Sequence, residues 1–217
     1  MAFDVSPPRD CDQCPRLAAF RAANRAQYPD FANAPVDSFG DVDARLLIVG
    51  LAPGLRGANR TGRPFTGDYA GDLLYATLGE LGLARGTFDR RPDDGLELIG
   101  CVIVNAVRCV PPQNKPTPAE IATCRTYLRL ALDRLTQLRS IVALGRIAHE
   151  SLLRTFGLRL AAHPFAHGAR HSLGDGKPKL FDSYHCSRYN TNTGVLTPAM
   201  FRDVLSAARD WGASEAV

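Results

Sequence analysis

The sequence predicts an α/β fold, a three-layer α/β/α sandwich with a central four-stranded parallel sheet. Three observations carry that expectation. Four short apolar runs read as buried strands, at residues 44–50, 97–107, 140–145 and 179–185. Segments with helical spacing or strong helix starts separate them, and such alternation builds a parallel sheet covered on both faces. Loops rich in Gly, Pro, Asn, Thr or His leave the carboxyl ends of the strands, where ligands of such sheets bind.

The elements follow in order. ARLLIVG (44–50) has charge before it and Gly and Pro after it, which bounds a strand. Residues 51–67 carry Gly54, Gly57, Gly62 and Gly67 with Pro53 and Pro64. That is a long structured loop, a kind usually retained for function. In 70–83, Leu73, Leu74, Thr77, Leu78 and Leu81 share one helical face. The run 97–107 is the second strand. RCVPPQNKP (108–116) cannot extend it, because proline removes backbone donors and fixes φ. Thr117, Pro118 and Glu120 form a capping-box start for a helix to about residue 138. A third strand (140–145) leads into a helix to about residue 156. The fourth strand (179–185) is followed by a second Thr-Pro start and a closing helix over 197–211.

The bulk properties narrow the class. A chain of 217 residues with 45% hydrophobic content suits one domain, 1–217, with a full core. No apolar run approaches the ~18 residues of a membrane span. The start, MAFDVSPPRDCDQCPR, lacks a basic segment followed by an apolar block, so a cytoplasmic protein is expected. The net charge of +4 permits a polyanionic partner without requiring one.

Six cysteines in such a compartment point to packing, a redox pair or a metal site rather than disulfides. Cys11 and Cys14 form a CxxC. Cys109 follows a strand, and Cys124 sits in the next helix. Two close ligands and two from a distant loop–helix unit can make a four-thiolate site for zinc or iron–sulfur, and spacing does not choose between them. A redox CxxC normally opens a helix just after a strand, which this segment does not do. Cys124 alone also suits a core. Cys101, inside an apolar strand, reads as packing, and Cys186 suits either role.

Three loops can carry chemistry: 51–67, 105–116 and 185–196. GLAPGLRGANRTGRPFTGD (50–68) lacks the GK(S/T) end of a phosphate loop and the GxGxxG of a dinucleotide fold. Its glycines, Gly54 among them, allow a ligand to approach the backbone. Arg56, Arg60 and Arg63 are either phosphate contacts or ordinary exposed arginines. Phe65 between glycine-containing turns can stack on a flat ligand. Asp68 near a helix start is either a cap or a functional carboxylate. Asn105 at a strand end offers a donor and an acceptor to a base edge, or closes a turn. In HCSRYNTNTG (185–194), His185 can donate to developing negative charge, and Arg188, Tyr189 and Asn190 form a bulky polar tip. The plainer alternative there is a turn beside a strand-end His.

Together these segments resemble the uracil-DNA glycosylase superfamily, most closely its family-5 iron–sulfur branch. Residues 50–68, with NRTG and FTGD, are similar to that branch's motif 1, and 185–194 to its motif 2. The CxxC and RCVPPQNKPTPAEIATC (108–124) are similar to its cluster-binding segments. The likeness spans Cys11 to Thr197.

The resemblance implies a structural [4Fe-4S] cluster on Cys11, Cys14, Cys109 and Cys124. It implies hydrolysis of the bond between base and deoxyribose, after extrusion of the base from duplex DNA. Uracil is the implied substrate, with hypoxanthine, xanthine and other damaged bases as further candidates. Ala52, Gly54, Phe65, Asn105 and His185 would surround the base: Phe65 stacks on it, Asn105 reads its edge, and His185 stabilises charge on the departing base. Arg60, Arg188, Tyr189 and Asn190 would meet the DNA, the tip wedging into the gap. Other branches hold the water with an acidic or amide residue where this chain has Ala52. Asp68 is the leading substitute. A monomer is expected. The competing readings are a non-catalytic zinc-containing nucleic-acid-binding protein and a nucleotide-binding metabolic enzyme.

Overall fold

The structure, a computed structural model, describes residues 5–214; the two ends of the expected 1–217 domain lie outside them. Its main sheet runs β1-β5-β2-β6-β8-β7. The centre consists of four parallel strands: β2 (Leu46–Gly50), β5 (Cys101–Asn105), β6 (Ser140–Leu144) and β8 (Lys179–Ser183). These are the four expected strands. The sheet nevertheless has six, because β1 (Phe39–Gly40) adds antiparallel to β5 and β7 (Arg170–Ser172) antiparallel to β8. Two- and three-residue edges with half-exposed side chains leave no apolar run to read.

The central strands are buried on both faces, which is why their sequences are continuously apolar. Leu46 and Ile48 face one core, shared with Leu74 and Leu78 of α3 (Tyr69–Glu80) and Phe201 and Leu205 of α7 (Pro198–Ser214). Leu47 and Val49 face the other, with Leu128 of α4 (Pro118–Arg134) and Leu152 and Leu153 of α5 (Arg146–Thr155). The three layers follow from this alternation.

The second expected strand is shorter than 97–107. Glu97–Leu98 (β4) pairs with Ala84–Arg85 (β3) in a separate ribbon, and Gly100, at φ +61°, turns the chain into β5. The capping box of α4 forms as expected: Glu120 N–H donates to Thr117 Oγ1 at 3.3 Å, and Thr117 N–H to Glu120 Oε2 at 2.7 Å. The helix ends at Arg134, short of residue 138. Two short helices, α2 (Ala58–Thr61) and α6 (Arg188–Asn192), lie within segments expected to be loops, and α1 (Pro15–Gln27) follows the CxxC.

A buried network ties the far edge of the sheet to α5. Asp182 in β8 bonds His149 Nδ1 at 2.8 Å and His171 Nε2 at 2.9 Å, while His149 Nε2 bonds the His163 carbonyl at 2.9 Å. Among the described residues, no helix is long and apolar enough to cross a membrane.

Candidate active site

The carboxyl ends of β2, β5 and β8 open onto a cavity of about 350 Å³. Its walls include Ala52, Gly54, Phe65, Asp68, Asn105, His185 and Arg188, so residues far apart in sequence converge as expected. Register explains part of this. Gly50 and Asn105 are partners where β2 and β5 end. A Cβ on Gly50 would stand 2.5 Å from Asn105 Oδ1 and 2.6 Å from Phe65 Cζ. Glycine is thus what lets the Phe65 ring and the Asn105 amide meet over the strand end.

Phe65 sits at φ +50°, a left-handed conformation that costs a non-glycine residue about 1–3 kcal/mol. The surrounding loop holds it there. Tyr75 O–H donates to the Pro64 carbonyl at 2.6 Å, and Thr61 O–H to the Thr66 carbonyl at 3.0 Å. Arg63 donates to Thr66 Oγ1 and forms a buried two-pronged pair with Asp94 at 2.7–2.8 Å. Arg63 is therefore committed to folding the loop. The Phe65 ring lies nearly parallel to His185, centroids 5.9 Å apart at 28°.

Burial pushes the His185 pKa down to about 4 from 6.5, so its imidazole is neutral near pH 7 and still carries an N–H to donate. No hydrogen bond to its ring occurs among the described residues. Asp68 precedes α3 without a side-chain capping bond. Burial raises its pKa, opposed by the Gly71 and Ala70 amides. Its Oδ1 is buried without a partner. A Cβ on Gly57 would stand 2.2 Å from Asp68 Oδ2, so glycine there leaves room for the carboxylate.

The other expected residues divide. The Arg188 guanidinium lies over the Tyr69 ring at 5.2 Å, on the rim. Tyr189 projects beside it, 74% exposed. Asn190 turns inward: its Nδ2 donates to the His185 carbonyl at 2.8 Å and braces the loop. Arg60 lies outside the cavity lining, with Nη2 3.5 Å from the Gly67 carbonyl. Sequence reasoning missed Tyr69, Asn114 and Ser187 in the walls. Asn114, at φ +57°, had a faint signal in its proline-flanked turn; Tyr69 had none beyond its neighbour Asp68.

The cysteines form a second centre. Cys11, Cys14, Cys109 and Cys124 line one small cavity with Leu17, Arg21, Val107 and Tyr127. All are free thiols. Burial is the chief cause that raises Cys109 to about 11, against the lowering by Arg21, and Cys124 to about 12, against the lowering by Arg108, so thiolates there require strong positive charge nearby. Cys101 and Cys186 are buried elsewhere, bonded to the Leu83 and Ala70 carbonyls, which gives Cys186 a packing role. Among the described residues, the one set of three or more His, Cys, Asp or Glu ligand atoms lying within 4.8 Å of one another is His149, His171 and Asp182, already joined by hydrogen bonds.

A doubly wound sheet with a base-sized pocket at its strand ends and a separate four-cysteine cavity defines a narrow class of protein. Residues 38–209 match the family model "Uracil DNA glycosylase superfamily", and the chain belongs to that superfamily. It is 49% identical over 204 residues to the type-5 uracil-DNA glycosylase of Thermus thermophilus, covering 92% of each chain. It is 38% identical over 208 residues to the type-5 uracil-DNA glycosylase of Pyrobaculum aerophilum, covering 94% of this chain and 90% of that one. A type-4 uracil-DNA glycosylase of Pyrobaculum aerophilum matches at 33%, over 80% of this chain and 69% of its own.

Proposed function

We propose that this chain is a DNA-repair glycosylase of the type-5 kind, hydrolysing the N-glycosidic bond of uracil in duplex DNA and leaving an abasic site. The observation that carries this is the convergence of Phe65, Asn105 and neutral His185 around one cavity. A base inside a duplex is out of reach, so it is extruded into that cavity. There the Phe65 face stacks on it, the Asn105 amide reads its polar edge, and the backbone at Ala52 and Gly54 closes around it. As the bond breaks, negative charge grows on the base and positive character on the sugar. The His185 N–H, donated from a neutral ring, stabilises the former; one such donor contributes about 3–4 kcal/mol. The Asp68 carboxylate, with an unpartnered oxygen and a raised pKa, orients water toward the sugar. Ala52 cannot do that work. Arg60, Arg188 and Tyr189 meet the DNA, with Tyr189 at the tip of the wedge and Asn190 holding it against His185.

Cys11, Cys14, Cys109 and Cys124 hold a [4Fe-4S] cluster in this reading. The fit rests on the donor set and its spacing. Four cysteines that line one cavity give the all-thiolate donor set such a cluster takes. When bound, the cluster supplies cross-links between the segment before α1 and the Cys109–Cys124 unit. The whole chain acts as one monomeric cytoplasmic domain, and hypoxanthine and xanthine are further substrates.

The test is strand cleavage by alkali after incubation with duplexes carrying uracil, hypoxanthine or xanthine. Abasic product from the uracil duplex is expected; its absence overturns the reading.

A further inference from the structure

A buried guanidinium, that of Arg21, lines the cysteine cavity, and a second, that of Arg108, is buried in the chain next to Cys109; neither has a carboxylate within ion-pair distance among the described residues. Arg21, on α1, is 5% exposed and lines the cavity. Its Nη2 donates to the Cys11 carbonyl at 2.6 Å and its Nη1 to Cys109 Sγ at 3.5 Å. Arg108 is fully buried. Its Nη1 donates to the Val36 carbonyl and Ser38 Oγ, while Nε and Nη2 have no partner. Its backbone N–H donates to Cys124 Sγ at 3.3 Å.

A guanidinium cannot discharge itself by losing a proton. Buried without an ion pair, it costs several kcal/mol, so Arg21 in the wall of the cavity calls for negative charge within it. Four neutral thiols do not provide that. Four thiolates around an oxidised [4Fe-4S] core would carry a net double negative charge, which the Arg21 guanidinium would meet directly. The geometry is also directional: Arg21 uses one fork to grip the backbone of one expected ligand and the sulfur of another, drawn from opposite ends of the site.

We propose that Arg21 is a positioning residue for the cluster, hydrogen-bonding the Cys109 sulfur, with the Arg108 backbone N–H holding the Cys124 sulfur. The proposal rests on the cluster reading above. Hydrogen bonds to ligand sulfurs and nearby positive charge stabilise the reduced, more negative state, so they raise the reduction potential. They also hold the ligands in place, and loss of such support typically weakens metal retention by about 10–100-fold.

The experiment uses purified holoprotein with Arg21→Gln and Arg21→Lys variants. Iron release to a chelator is followed by absorbance near 400 nm, and the potential by dithionite titration with electron paramagnetic resonance. Arg21→Gln is expected to release iron about tenfold faster and to shift the potential to more negative values. Arg21→Lys keeps the charge but loses the fork, so its potential should shift less while its iron release still accelerates. Wild-type values of both quantities in a folded Arg21→Gln overturn the proposal. If Arg21→Gln does not accumulate folded, Arg21→Lys decides alone, and wild-type iron release there overturns it. A wild-type protein that purifies without iron would instead overturn the cluster reading itself, and the proposal with it.

Discussion

The base pocket and the cysteine cavity lie in one fold but are built on opposite electrostatic plans. The pocket gathers neutral or weakly compensated groups: an imidazole held uncharged by burial, an amide at a strand end, and a carboxylate whose Oδ1 lacks a partner. These groups are free to act on something that enters. The cysteine cavity sets the Arg21 guanidinium and the Arg108 backbone N–H against two of its four sulfurs, an arrangement suited to the resident group proposed above. A site for turnover keeps its polar groups unspent, whereas a site for a resident group is organised to neutralise it.

Substitutions should separate the two regions. Pocket changes should slow base release and leave iron content alone, and cavity changes should do the reverse. The largest effect on rate is expected from His185→Ala, a loss of about 10²–10³-fold in single-turnover uracil release. Gel-shift affinity for the duplex and absorbance near 400 nm should stay near wild type. A parallel loss of iron would break the separation. Gly50→Ala is expected next. Its added methyl must displace Asn105 or Phe65, and a misplacement of about 1 Å costs on the order of 10²-fold. Unchanged turnover would show that the close approach at the strand end is dispensable.

Asp68→Asn should change the shape of the pH profile as well as its height. Burial raises the Asp68 pKa, so in the wild type the carboxylate is lost, and activity falls, at a higher pH than for an exposed Asp. The asparagine variant should lack that limb, and an unaltered profile would remove Asp68 as the working carboxylate. The smallest effect concerns stability. The folded-state pKa of His185 is depressed, so the unfolded chain binds the extra proton first. The associated stability is full above about pH 6.5 and is lost as pH falls toward 4. Melting of His185→Gln should be less acid-sensitive than wild type over that window.

Much of the site was legible because it is written in residues that punctuate the backbone. Gly50, Gly54, Pro53 and Pro64 mark the loop, and the Thr117–Glu120 box fixes where α4 begins. The four central strands were legible because burial on both faces makes them continuously apolar. The edge strands β1 and β7 were not: at two and three residues, their pairing depends on the neighbour's backbone rather than on their own pattern. Arg21 and Arg108 were equally hidden. In sequence they resemble ordinary surface charges, and only the tertiary structure buries them beside sulfur. Asn190 shows the same limit from the other side, since its expected outward tip position proved to be a brace on the His185 carbonyl.

The most direct measurement of the central claim is single-turnover base release from a duplex with one uracil, comparing wild type with His185→Ala at equal iron content. Abasic product from the wild type, and release about 10²–10³-fold slower in the variant with duplex affinity retained, is the result the pocket geometry predicts. No product from iron-replete wild type, or equal rates from the two proteins, would contradict it.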